Sequence, residues 1–147
     1  MHIPDGYLGP VTSGVFYALM LVVWTLSSRV VKKTLKARQA PLLAISAAFS
    51  FVIMMFNLPI PGGSSGHATG GALAAILLGP SAACIAITVA LIIQALLFGD
   101  GGITALGANC FNLAFVLPFS GYYVYKLISY KAPVGSNRRV IAAALAG

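Results

Sequence analysis

His2 and His67 are the two histidines of this chain, and together with the chain terminus they could perform transition-metal chemistry. A histidine in second place can offer a cation three nitrogens at once: the amine of Met1, its own backbone nitrogen once deprotonated, and its imidazole. These close fused chelate rings in one plane, and His67 can supply a fourth nitrogen. Four nitrogens in a plane suit Ni(II) or Cu(II), whereas Zn(II) prefers a tetrahedral set, commonly with thiolates, and Mg(II) or Ca(II) take oxygen ligands. Histidine is a bulky second residue, so Met1 is expected to escape aminopeptidase trimming, and the amine concerned is its own. The competing reading is the ordinary fate of a loop histidine, at a surface or satisfied within a core. The metal reading requires folding to bring positions 2 and 67 together.

The elements that would have to do so are membrane helices. Hydrophobic residues make up 59% of the 147 positions and charged residues 7%, against about 25% charged in a soluble domain. Apolar runs of about 18 residues recur along the chain. The expected fold class is therefore all-α, a polytopic membrane protein built as a bundle of transmembrane helices, with residues 1–147 forming a single membrane domain. The ten-residue dyad alternation of a membrane β-barrel is missing. The net charge of +7 is concentrated in two clusters, Arg29 to Arg38 and Lys126 to Arg139. We read these as signals that hold short loops in the cytoplasm. A nucleic-acid surface would spread its basic residues over a face with aromatics between them, and no nucleic-acid partner is expected. Met1 to Pro10 lacks the basic start of a cleavable signal peptide.

Followed in order, the spans are expected at Val11 to Val31, Pro41 to Phe56, His67 to Gly79, Ser81 to Phe98 and Thr104 to Lys126. Val140 to Gly147 would begin a sixth helix that continues in a longer protein. The basic loop after the first span places the amino terminus outside, in a plasma or inner membrane. The Asn57 to His67 hinge and the Gly99-Asp100-Gly101-Gly102 turn then share that outer face with His2. The third run is only about 13 residues, roughly 20 Å of helix against a hydrocarbon core of about 30 Å. The Pro- and Gly-rich hinge is therefore expected to re-enter the membrane, which is permitted only when it is buried in protein, placing His67 in a recess. Gly71, Ala75 and Gly79 give this helix a small-residue stripe for close packing.

Asp5 and Asp100 are the chain's acids; each fits a turn cap better than a metal ligand, although Asp5 could orient a ligand from behind. Asn57, Ser65, Gln94, Asn109 and Asn112 are candidates either to line the site or to tie helices together. Cys84 and Cys110 lie in apolar runs, where a buried thiol behaves as a small hydrophobe. Gly63-Ser64-Ser65-Gly66 also matches the nucleophile pattern of rhomboid-type intramembrane serine proteases. A catalytic serine needs a base within hydrogen-bond reach from another element, and His67 lies only two residues from Ser65. A passive metal channel or sensor is a further alternative.

Met1-His2-Ile3-Pro4-Asp5-Gly6-Tyr7-Leu8, the Asn57 to His67 hinge, and Gln94 to Gly102 with Gly107-Ala108-Asn109 closely resemble the NikM/CbiM family, the substrate-binding subunits of energy-coupling-factor transporters for nickel and cobalt. The resemblance runs through all 147 residues. It implies a seven-helix subunit whose amino terminus tucks into the membrane domain. Met1 would contribute its amine, His2 its backbone nitrogen and imidazole, and His67 its imidazole. It further implies capture of Ni(II) or Co(II) from outside as a transported substrate, with no organic cofactor. The implied partners are a transmembrane coupling subunit, cytoplasmic ATPase subunits and a small accessory membrane subunit. The chain has no G-x-x-x-x-G-K-[ST] loop, so ATP would be hydrolysed by another polypeptide, and no enzymatic activity is expected of this one. The planar nitrogen set and the Gly6 to Pro10 context favour nickel over cobalt.

Overall fold

The computed structural model describes residues 2–62 and 64–147. After a short tail, α1 (Pro10–Thr34) leads through a 3-10 turn (Ala37–Gln39) into α2 (Ala40–Met54). A hairpin of β1 (Leu58–Ile60) and β2 (Ser64–Gly66) precedes the short α3 (Gly71–Leu78). α4 (Pro80–Ile93) continues as a π-helical segment, Gln94–Phe98. α5 (Leu106–Cys110) passes through a second π-helical segment, Phe111–Val116, into α6 (Leu117–Ile128), and α7 (Asn137–Ala146) follows. Among the described residues, Pro10–Thr34 and Pro80–Phe98 are long and apolar enough to cross a membrane by themselves; α2, at 15 residues, is shorter.

Prolines mark several of these starts. Pro10, Pro41 and Pro80 sit in the first turns of α1, α2 and α4, where the missing N–H has no partner to lose and the fixed φ is already helical. Pro118 lies further along a continuous helical run and cannot donate to the preceding turn. The backbone approaches it through the wider π-helical turn, one of the ways a helix accommodates a broken ladder.

α4 is the central element, packed against α1, α2 and α3. Its Cys84, Ile87, Ala90 and Leu91 meet Met20 of α1, Met54 of α2, and Cys110 and Ala114 of the α5 run in one buried cluster. α1 joins it along a narrow seam, Ser13, Met20 and Ser27, spaced by seven residues, so that one stripe packs while the remaining apolar surface faces outward. α3, α6 and α7 pack closely through small residues. A Cβ on Gly121 would stand 2.9 Å from the Ala72 Cβ and 2.7 Å from the Ala146 carbonyl, the close backbone approach used between membrane helices.

Two local expectations need correction. The hinge is a hairpin, with Leu58 opposite Gly66, Pro59 opposite Ser65 and Ile60 opposite Ser64; Pro59 is tolerated because a two-stranded ribbon has only edge strands. The third helix begins at Gly71, four residues beyond His67, after Gly70 with φ 71°. In the small-residue stripe, Ala75 is buried and Gly71 packs on Leu117 and Pro118. Gly79 instead ends the helix with φ 89° and has no neighbour where a Cβ would stand.

Candidate metal centre

The site is built by docking the amino-terminal tail onto the start of α5. Asn109, buried on α5, accepts the Ile3 N–H through Oδ1 at 2.9 Å and donates from Nδ2 to the Ile3 carbonyl at 3.1 Å. Gly102 N–H donates to the same carbonyl at 2.9 Å. One carboxamide thus answers both polar groups of a tail residue, as a neighbouring strand would. Two residues on, the Asp5 carboxylate accepts the N–H groups of Ile103 (3.2 Å) and Thr104 (2.8 Å) and the Thr104 hydroxyl. These are donors of the turn that opens α5, so Asp5 acts there as a capping carboxylate supplied from the far end of the chain. The Thr104 hydroxyl, then the backbone N–H groups, hold the Asp5 carboxyl below its ordinary value of 3.8.

The Gly101-Gly102 pair makes room for this docking. A Cβ on Gly102 would fall 2.4 Å from the Asp5 nitrogen and 2.7 Å from the Pro4 carbonyl carbon; one on Gly101 would fall 2.9 Å from the His2 Cβ. Gly101 also takes φ 97°, open to glycine at no steric cost. Tyr17 of α1 supports the turn from behind through its hydroxyl, which donates to the Ile103 carbonyl.

His2 is thereby carried into the molecule, 8% exposed, with its ring centroid 5.2 Å from that of His67 and the planes tilted by 57°. Asp100 Oδ1 lies 3.1 Å from His2 Nδ1. Burial lowers the His2 pKa below its ordinary 6.5, with Asp100 opposing it and His67 adding to it. The neutral imidazole, which has a lone pair to give, is the favoured form. His67 Nδ1 sits 3.2 Å from the Ala68 carbonyl. The Nε2 atoms of both histidines are buried and find no hydrogen-bond partner among the described residues, and such orphaned atoms require an explanation. Beside His67 opens a pocket of about 280 Å³, with Phe49, Thr69 and Leu73 in its wall.

Among the described residues no group of three or more His, Cys, Asp or Glu could hold a metal. The paired imidazoles of His2 and His67, with Asp100 beside the first, are the donors brought together here. The Met1 amine lies outside the described residues.

A family model for CbiM, described as the cobalt uptake substrate-specific transmembrane region, matches residues 2–147. The chain belongs to the CbiM family. It is similar to the fused nickel transport protein NikMN of Rhodobacter capsulatus, at 58% identity over 99% of this chain and 42% of that protein. It is also similar to the cobalt transport protein CbiM of Roseiflexus sp., at 38% identity over 91% of this chain and 55% of that protein. A solved structure described as a truncated transition metal transporter superposes with TM-score 0.89 at 50% identity, covering 99% of this chain and 68% of that one. The chain thus spans about half the length of these two curated relatives.

Within this CbiM-family chain the candidate residues separate cleanly. His2 and His67 come together, and Asp5, Asp100 and Asn109 are grouped around the docked tail. Asn57 is exposed just before β1 and Asn112 is exposed on the helix surface. Ser65 pairs with Pro59 in the hairpin, and no hydrogen bond among the described residues joins it to either histidine, so the protease reading gains no support. Gln94 is wholly buried at the head of the π-helical segment. Thr104, Gly101 and Gly102 were not singled out as functional from the sequence; the only signal pointing to them was the run of glycines around Asp100.

Proposed function

We propose that this chain is the substrate-binding part of an energy-coupling-factor transporter that captures Ni(II) or Co(II) at the outer face for uptake. The observation that carries this reading is the docking of His2 beside His67 through hydrogen bonds that the tail backbone makes 106 residues away along the chain. An ordinary core histidine needs no such arrangement. In this reading Met1 supplies its amine, His2 its backbone nitrogen and imidazole, and His67 the fourth nitrogen. Asp5 and Asn109 hold the tail, and Asp100 stands beside the His2 ring.

Residues 1–147 form one membrane domain with the amino terminus outside, five spans and the start of a sixth, in a cell membrane. A transmembrane coupling subunit and cytoplasmic ATPases drive transport, joined by a small accessory membrane subunit, and ATP is hydrolysed on those partners. The planar nitrogen set favours nickel. These assignments rest on the resemblance, on the basic clusters and on the family's description as a substrate-specific transmembrane region.

The test is a variant carrying two uncleaved residues before Met1, because a single one would leave histidine third from the terminus and able to form a new planar chelate, compared with the native form for bound nickel and cobalt and for uptake. The extension converts the amine into a peptide nitrogen and moves histidine out of second place, while every side chain is kept. Affinity is expected to collapse with helical content unchanged, because metal binding depends on deprotonated ligands that the extension removes. Equal binding by the two forms would refute the terminal chelate.

A further inference from the structure

Asn109 does more than tie two segments together. Its carboxamide engages both the N–H and the carbonyl of Ile3, and Gly102 N–H reinforces the carbonyl. Ile3 is therefore fixed as a peptide, whatever its side chain. His2, the residue before it, has little latitude, since its Cβ lies where a Cβ on Gly101 would almost touch it, and its ring stands against His67.

We infer that Asn109 is a positioning residue of the proposed metal site: by gripping the Ile3 peptide it fixes the tail so that the His2 nitrogens are presented beside His67 before any ion arrives. The inference rests on the proposed function and adds to it the group that preorganises the chelate. A carboxamide suits this task because it carries a donor and an acceptor in the same arrangement as a peptide unit and remains neutral when buried. An aspartate there would keep an acceptor for the Ile3 N–H but lose the donor for its carbonyl. An alanine would leave both Ile3 groups to find other partners. Nothing in this arrangement requires Asn109 to touch the ion, and its effect on affinity passes entirely through the tail backbone.

The experiment uses the purified full chain with its native terminus, and the variants Asn109→Ala, Ile3→Pro and the double. Ile3→Pro removes the tail's donor while leaving Asn109 and α5 intact. Three quantities are read: nickel affinity by titration, the visible d–d absorption of bound Ni(II), which reports how planar its ligand set is, and thermal unfolding without metal. Each single change is expected to weaken nickel binding by about 10- to 100-fold, the usual range for losing a group that orients ligands. The absorption band should shift in both, and the double should be no weaker than the worse single, because both changes cut the same contact. Metal-free unfolding should fall in both singles by what the docked tail contributes, and the double should unfold no earlier than the worse single. The inference is overturned if Asn109→Ala keeps native affinity and spectrum, if the two effects on affinity simply add, or if Asn109→Ala lowers metal-free unfolding further when Ile3→Pro has already released the tail, which would make its role one within α5. A native protein that binds neither nickel nor cobalt would sink the proposed function and this inference with it. Native binding with uncoupled variants would sink this inference alone.

Discussion

His2 gives the docked tail a pH dependence whose sign follows from burial. In the docked state its imidazole resists protonation, while on a free tail it titrates near its ordinary 6.5. Docking is therefore at full strength above that value and weakens as pH falls below it, toward the depressed value of the docked state. Asp5 does not share this window, because its carboxyl stays ionised to below 3.8 when docked. Hydrogen exchange at the Ile3 amide, corrected for its intrinsic pH dependence, should show protection fading as the pH drops past 6.5; flat protection through mild acid would contradict this. Gln94 makes a separate prediction. Its side chain is 0% exposed and neither of its polar atoms has a hydrogen-bond partner among the described residues, a burial that costs about 1–3 kcal/mol. Gln94→Leu should leave metal-free unfolding unchanged or raise stability by about 1 kcal/mol, with any penalty appearing in uptake. A large loss of stability would reveal a partner that the fold does supply. The histidine pair could be anticipated from the sequence because loop charge alone put both residues on one face. The role of Asn109 could not, because its partner is a peptide group, which carries no residue type to recognise.

At the level of elements, the turn at Gly101-Gly102 and the tail are one structural unit made from opposite ends of the sequence. Gly102→Ala would drive a methyl group into the backbone of Pro4 and Asp5, which cannot rotate away as a side chain could. The tail should be expelled, losing metal binding and Ile3 protection, while helical content is kept. Gly14→Ala, inside α1 with open space where its Cβ would stand, should instead stabilise the helix by about 0.5–1 kcal/mol. If both variants behave alike, the tail is not held by that turn. The long helices could be read from the sequence because apolar run length and proline position are local signals, and α1 and α4 begin within a residue of where they were expected. The hairpin could not, since strands of three residues with a proline in one have no periodicity to detect. The late start of α3 was missed because the Ala68 to Gly70 stretch is apolar enough to extend a helix. Only the left-handed Gly70 stops it.

At the level of the molecule, α4 is the hub, α1 lies along one side by a single seam, and α3, α6 and α7 close together through alanine and glycine. Hydropathy conveyed the presence of a helical membrane protein. It did not convey which helix is central, because a run buried in protein and a run facing lipid are equally apolar. One property of this architecture concerns time rather than space. The bond between Ile3 and Asn109 closes a loop of 106 residues, and contacts so distant in sequence are slow to form. The tail thus waits on an element made long after it. A chain with α1 to α4 in place but no α5 would hold both histidines without the carboxamide that docks the tail, and on the proposed function it would gain its ion site only when α5 arrived.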